Sequence, residues 1–334
     1  MKKIIKILLP SVIADLLRYL RNMYLLNKSY NIDKNRYRKS AFGIKLNNNQ
    51  ENLEAKITMN YHSIEKGLSN INFREGFGKS AYTELIETMK EFFNAGYDTE
   101  SIVFQNALSV LDQYVKRHSN TIINTKHIEE IINKYKTKEL KSTGGVNSFK
   151  KQSVDFYLNS NFETLALNRH SVRDYSNKSV DISLIEKAIS IAAKTPSTCN
   201  RQPWFNYVIR EKKLINDVLN VQGGLGGFGN NIDTLILITS NNHSLQKYSE
   251  RNQGFIDAGM FSMSLIYALQ YLGLATCALN AVFSIKKDKE IRKILDIPFS
   301  QNLIMFVSVG NYPENFYAAK SLRYDHKKIT KIIN

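Results

Sequence analysis

At 334 residues the chain has room for two folded units, or for one core domain with a long extension, since domains run to roughly 100 to 200 residues. Its 43% hydrophobic and 23% charged content is that of a globular protein and excludes both a disordered chain and a polytopic membrane protein. The formal charge of +16, from 46 Lys+Arg against 30 Asp+Glu, attracts phosphorylated cofactors, acidic glycans, anionic lipid and nucleic acid alike.

Nucleic acid is not expected as a partner, because no Arg/aromatic module, zinc spacing or helix-turn-helix pattern accompanies the charge. Cys199 and Cys277 are the only cysteines. Both are read as near-core residues with apolar neighbours, which points to a reducing, cytoplasmic compartment without a disulfide framework or redox thiol pair.

Residues 1–50 form a basic amphipathic segment. MKKIIKILLPSVIADLLRYLRNMYLL resembles a signal peptide superficially, but Pro10 and Asp15 interrupt its apolar run and no small-residue cleavage site follows. It is too short and too charged to span a bilayer. Ile13, Leu16, Leu17, Leu20 and Tyr24 share one helical face, which suits either peripheral contact with anionic lipid or docking on the chain's own domain.

From residue 51 to 135 apolar residues recur at three and four, as in Ile102, Ala107, Leu108, Leu111 and Val115, and predict a helical module. Within it YHSIEKGLSNINFREGFG gathers His62, Glu65, Lys66, Arg74 and Glu75. Such a cluster either ties helices together or binds an anionic substrate at the mouth of a pocket. His118, His127, His243 and His326 have no ligand-like spacing, and no metal site is expected. The stretch KTKELKSTGGVNSF is polar and aperiodic, so residues 136–150 are read as a linker.

Residues 151–334 follow a different pattern. Asp181 is a good N-cap for a helix through Lys194, ended by Pro196. WFNYVIR and IDTLILITS read as strands, Asp257 to Leu272 as a long apolar helix, and LIMFVSVG as a further buried strand. Helices and strands interleave without regular βαβ spacing, which predicts an α+β layered domain. The Gly-rich run Gln222 to Asn231 precedes a strand instead of following one, so it is no dinucleotide fingerprint. It is read as a mobile loop over the site or a plain connector.

Two motifs carry the chemistry. NRHSVRDY packs Arg169, His170, Ser171 and Arg173 into five positions, and guanidinium forks suit a phosphate dianion. About thirty residues later PSTCNRQPW places Pro196, Ser197, Thr198, Asn200 and Gln202 in one turn, where fixed donors and acceptors suit the edge of a planar heteroaromatic ring.

RHSVR followed by PSTCNRQPW resembles the opening signature of the FMN-dependent nitroreductase family. IDTLILITS, the helix with Asp257 and Gly259, LGLATCALNAVF and VGNYPE with the later KSLR match in the expected order, from about Asn161 to Ile329. The resemblance implies a nitroreductase-like α+β fold with a central mixed sheet flanked by helices, preceded here by an all-α module. It also implies FMN as cofactor, NADH or NADPH as electron donor, a small-molecule acceptor and a homodimer.

Carried over by position, Arg169, Ser171 and Arg173, with His170 between them, would contact the flavin phosphate and pyrimidine edge. Ser197, Thr198 and Asn200, in the turn from Pro196 to Gln202, would lie against the cofactor, commonly across the dimer interface. Leu279, Asn280 and Ala281 match the segment whose backbone approaches flavin N5, and Lys320 and Arg323 match the basic pair that reaches the phosphate. No protein nucleophile is expected, because the flavin carries the chemistry. Two departures, Ala281 where many members have Gly and Ser264 where many have Asn, make the substrate pocket unpredictable. HSIEKGL segments similar to this one precede nitroreductase domains in bacterial proteins, some encoded with surface-polysaccharide genes, so a tailoring enzyme of that metabolism is one reading. A scaffold of the same fold with little turnover, docked to a membrane or partner by its basic N-terminus, is the alternative.

Overall fold

Apolar residues at helical spacing organise the first half of the chain, described in a computed structural model at residues 11–44, 48–72, 74–136, 143–155, 160–224 and 231–333. Helix α1 (Ser11–Ser40) is held near its C-terminal end by Asp33, which accepts from Arg251 Nε at 2.8 Å. Its earlier turns leave Ile13, Leu16, Leu17, Leu20 and Tyr24 exposed on one face. Residues 1–10 of the basic segment lie outside the described residues. Among the described residues no helix is long and apolar enough to cross a membrane.

Helices α2 (Gln50–Leu68), α3 (Lys79–Asn94), α4 (Ile102–His118) and α5 (Lys126–Tyr135) bury one core of Ile57, Ile64, Met89, Phe92, Leu108 and Tyr114. Helix α2 starts on a reciprocal cap between Asn49 and Asn52, which satisfies backbone donors the first turn would otherwise leave open. Near its end Gly67 is required by packing, because a Cβ there would run into the Phe77 ring. Phe77 is itself fixed through its carbonyl, which accepts from Tyr114 Oη at 2.9 Å.

The segment read as a linker is in part a built element. Residues 137–142 lie outside the described residues, but Gly144 N–H donates to Ser109 Oγ, Gly145 N–H to Glu65 Oε1 and Val146 N–H to Gln113 Oε1. Strand β1 (Val146–Lys150) then pairs antiparallel with the last strand, β6 (Asn315–Ala319). Polarity signalled a solvated connector. The backbone donors are instead consumed by side chains of the helical module and by a distant strand.

Two short helices, α6 (Lys151–Asp155) and α7 (Phe162–Leu167), lead into the second core. Then follow α8 (Ile182–Ala192), β2 (Trp204–Ile209), α9 (Lys212–Gln222), β3 (Thr234–Asn241), α10 (Gln253–Tyr271), β4 (Leu274–Asn280), α11 (Ile285–Leu295) and β5 (Gln301–Asn311). Asp181 caps α8 as expected, its side chain accepting from Ser183 N–H at 2.9 Å. The four-stranded sheet has the order β2-β3-β5-β4. Alternate residues of β3 enter different cores: Leu235 and Leu237 meet α9, α11 and β6, while Ile236 and Ile238 meet α8 and α10. A strand buried on both faces is therefore apolar without alternation.

The α+β class is as the sequence predicts, but the expected mixed sheet is not. Every pairing among the described residues is antiparallel. The crossover through α10 does make β3 and β4 run the same way. Strand β5 inserts between them and pairs with both, so no parallel ladder forms.

Candidate cofactor-binding site

The segment carrying Arg169, His170, Ser171 and Arg173 leaves α7 and lies along the free edge of β4, where Val172 N–H donates to Thr276 O at 2.9 Å. Val172 and Tyr175 are buried and anchor it. Tyr175 Oη hydrogen-bonds Ser308 Oγ at 2.7 Å and donates to Val172 O at 2.9 Å. Glycine at 310 makes this possible, since a Cβ there would collide with the Tyr175 ring. Because the backbone is extended, burying Val172 turns its neighbours Ser171 and Arg173 to the other side.

Electrostatics show which groups converge. Burial pushes the Cys277 thiol up, and Arg173, Lys66, Arg169 and a hydrogen bond from Ser171 pull against it, so all four lie within electrostatic reach of Cys277. Burial, and then Arg323, hold the Arg169 guanidinium below its ordinary range. Burial, Arg169 and Arg323 push His170 down, and its ring packs on Phe149 with centroids 4.7 Å apart. Burial lowers Lys320, whose charged neighbour is Glu65. The C-terminal pair is thus divided: Arg323 joins Arg169 and His170, while Lys320 faces the helical module.

Among the described residues Arg169, Arg173 and Arg323 have no carboxylate within ion-pair distance. Cations brought together and partly desolvated without a counter-ion repel each other until an anion arrives. That donor set fits the phosphate of a mononucleotide.

The turn from Pro196 to Gln202 is strained and well tethered. Cys199, Asn200 and Gln202 all have positive φ, a backbone region that costs non-glycine residues energy unless the surroundings impose it. Buried Asp257 on α10 accepts from Thr198 N–H at 3.2 Å and from Gln253 Nε2 at 2.7 Å. Arg201 donates to Thr198 O and to Glu250, and Gln202 N–H to Ser197 Oγ. Ser264 bonds Thr195 Oγ1 at 2.7 Å, so the departure from Asn noted above serves the base of this turn. Cys199 is exposed here, not near-core as its neighbours in sequence suggest, because the positive-φ turn lifts it off the domain.

This turn opens β2, and the Arg169–Arg173 segment lies beside β4, at the opposite edge of the sheet. Three strand spacings of roughly 4.8 Å put these edges about 14 Å apart. One chain does not bring the two motifs together. Between them, at the end of β4, Leu279 and Ala281 are buried while Asn280 is exposed and accepts from Gln222 Nε2 through its carbonyl. Residues 225–230 of the Gly-rich run lie outside the described residues. Thr276, Ser308, Tyr175 and Asp257 position these motifs, and only Asp257 carried any sequence signal, through its place in the apolar helix.

An antiparallel sheet backed by helices, with a cationic cluster along one edge and a strained polar turn at the other, defines an α+β protein whose charged edge suits an anion. A family model described as "Nitroreductase family" matches residues 166–225 and 216–311, within the C-terminal region. A protein of Archaeoglobus fulgidus named as an NADH dehydrogenase/NAD(P)H nitroreductase is 28% identical over 156 residues, covering 45% of this chain and 86% of its own. A 4-nitrobenzoate reductase of Nocardioides is 23% identical over 198 residues, covering 45% of this chain and 79% of its own. Among solved structures, an FMN-dependent nitroreductase of Clostridium difficile R20291 superposes with a TM-score of 0.40 at 21% identity, covering 45% of this chain and 87% of that one.

Proposed function

We propose that the protein is an FMN-dependent oxidoreductase that takes electrons from NADH or NADPH and delivers them to a small electron-poor acceptor. The observation that carries this reading is the gathering of Arg169 and Arg173 near Cys277, with Arg323 beside Arg169, none of the three having an ion-pair partner among the described residues. The names of the curated relatives, an NAD(P)H nitroreductase and a nitrobenzoate reductase, support it.

When bound, FMN supplies hydride acceptance and donation. Arg169 and Arg323 would hold its phosphate through forked donors, and Ser171 and Arg173 would serve its pyrimidine edge. His170, whose pKa is lowered by burial and then by Arg169 and Arg323, would add a hydrogen bond. Leu279, Asn280 and Ala281, at the end of β4, would line the ring of the bound flavin. Donor and acceptor take turns in one pocket, in ping-pong order.

The turn from Pro196 to Gln202 completes the site from a second copy of the chain. Its distance from Arg169 across the sheet supports this, as do Phe255, Ile256 and Met260 on α10, exposed apolar residues beside the turn that a partner would cover.

The test is an absorbance spectrum of the purified protein. Flavin bands are expected, bleached by NADH or NADPH and restored by a quinone or nitroaromatic. Protein that is colourless and stays so after incubation with excess FMN would overturn the reading. Bound flavin that neither nicotinamide bleaches would favour a scaffold of the same fold.

A further inference from the structure

The HSIEKGL segment ends α2, and its acidic and basic residues have separate fates. Glu65 is fully buried, accepts from Gly145 N–H at 3.0 Å, and has His62 Nδ1 3.1 Å from its other oxygen. Gly145 in turn accepts through its carbonyl from Lys320 N–H at 3.0 Å. The last turn of α2 is thereby fastened to the crossing of β1 and β6, just before the segment that bears Arg323. A second clasp lies about three helical turns upstream, where Lys328 Nζ meets Glu54 Oε2 at 2.7 Å. Between these clasps the C-terminal tail follows α2.

Lys66 is the next residue after Glu65, and this fastening carries its side chain into the cationic cluster. Its electrostatic neighbours are Arg173 and the buried Cys277 thiol. It is half-buried and, among the described residues, forms no ion pair with a carboxylate; the adjacent Glu65 is already engaged by Gly145, His62 and Lys320. A lysine at the end of a helix ordinarily reaches for water or an acid. Burial, and then Arg173, hold this ammonium below its ordinary range. Such an arrangement costs free energy in the empty protein and recovers it when an anion binds between the two cations. Arg74, from the same motif, is exposed and not part of the cluster.

We propose that Lys66 is a cofactor-binding residue, its ammonium joining Arg173 to neutralise an anionic oxygen of the bound phosphorylated flavin. The helical module is then one wall of the flavin site, and flavin loading joins it to the C-terminal domain. This rests on the flavin reading above and adds to it a ligand from outside the nitroreductase-family match.

The test uses the full chain and titrates wild type, Lys66→Met and Lys66→Arg with FMN and with riboflavin, following quenching of flavin fluorescence and the melting temperature of each empty protein. Lys66→Met should melt no lower than wild type, because a repulsion is removed. Its FMN dissociation constant should rise about tenfold, the loss of one charge-assisted bond, and Lys66→Arg should restore most of it. A loss confined to FMN assigns the partner oxygen to the phosphate; an equal loss with riboflavin assigns it to the ring. Wild-type affinity of Lys66→Met for both flavins, with wild type itself binding FMN, overturns the assignment of Lys66 alone. Failure of wild type to bind either flavin overturns the parent reading.

Discussion

Replacing Arg169 by alanine separates a group kept for folding from one kept for a ligand. In the empty protein the Arg169 guanidinium is partly buried and lies beside Arg323, both unfavourable to its charge. Its removal relieves those costs and forfeits only aliphatic packing, so the melting temperature of the empty protein should stay level or rise. In the FMN complex the same change deletes a charge-assisted contact to phosphate worth about 1.5 to 3 kcal/mol. At 1.4 kcal/mol per decade the dissociation constant should rise roughly 10- to 150-fold. Flavin fluorescence titration measures it, and riboflavin, which lacks the phosphate, should bind the variant and the wild type within about twofold of each other. An FMN constant within threefold of wild type, or parallel losses of FMN and riboflavin alongside a lower melting temperature, would refute the argument.

Asp257→Ala leaves the Thr198 N–H without its acceptor beneath a turn that already holds three residues at positive φ, and should cost about 1 to 3 kcal/mol of stability. Chemical denaturation measures that loss, and gel filtration should show the variant dimerising less well than Arg169→Ala; equal dimerisation would detach the turn from the interface. His170 gives a pH dependence of definite sign. Its folded-state pKa is lowered by burial, Arg169 and Arg323 from an ordinary value of 6.5, so the unfolded chain takes up the proton first as pH falls. Its contribution to stability is complete above pH 6.5 and is lost as pH falls from there through the folded value. His170→Gln should flatten the melting-temperature profile in that window, and an unchanged slope would contradict the assignment.

The strands were readable where burial on both faces leaves an uninterrupted apolar run, as in Leu235 to Ile238. Helix α8 announced itself through Asp181 and its apolar spacing. The antiparallel sense of the pairing was not readable, because the insertion of β5 between β3 and β4 is a choice of tertiary neighbours that no local pattern encodes. The segment around Gly144 and Gly145 read as solvated chain for a related reason: its hydrogen-bond acceptors are Ser109, Glu65 and Gln113, on two different helices. Arg169 and Arg173 were legible as an anion-binding pair through their spacing. Their meeting with Arg323 and Lys66 depends on the β1–β6 crossing. Exposure of Cys199 was missed because positive φ at a non-glycine residue leaves no compositional trace.

The pairing of Val146 with Ala319 also sets an order of events for a chain leaving the ribosome. Helices α2 to α5 make mostly local contacts and can close their core early, whereas this ribbon must wait for the final strand and pay a long loop closure. Until then Gly145 lacks the Lys320 amide that secures it, and Arg323 has not arrived to face Arg169. A polypeptide that stops short of Arg323 would therefore carry a finished helical bundle but an incomplete anion cradle, making cofactor uptake a check that synthesis has passed that point.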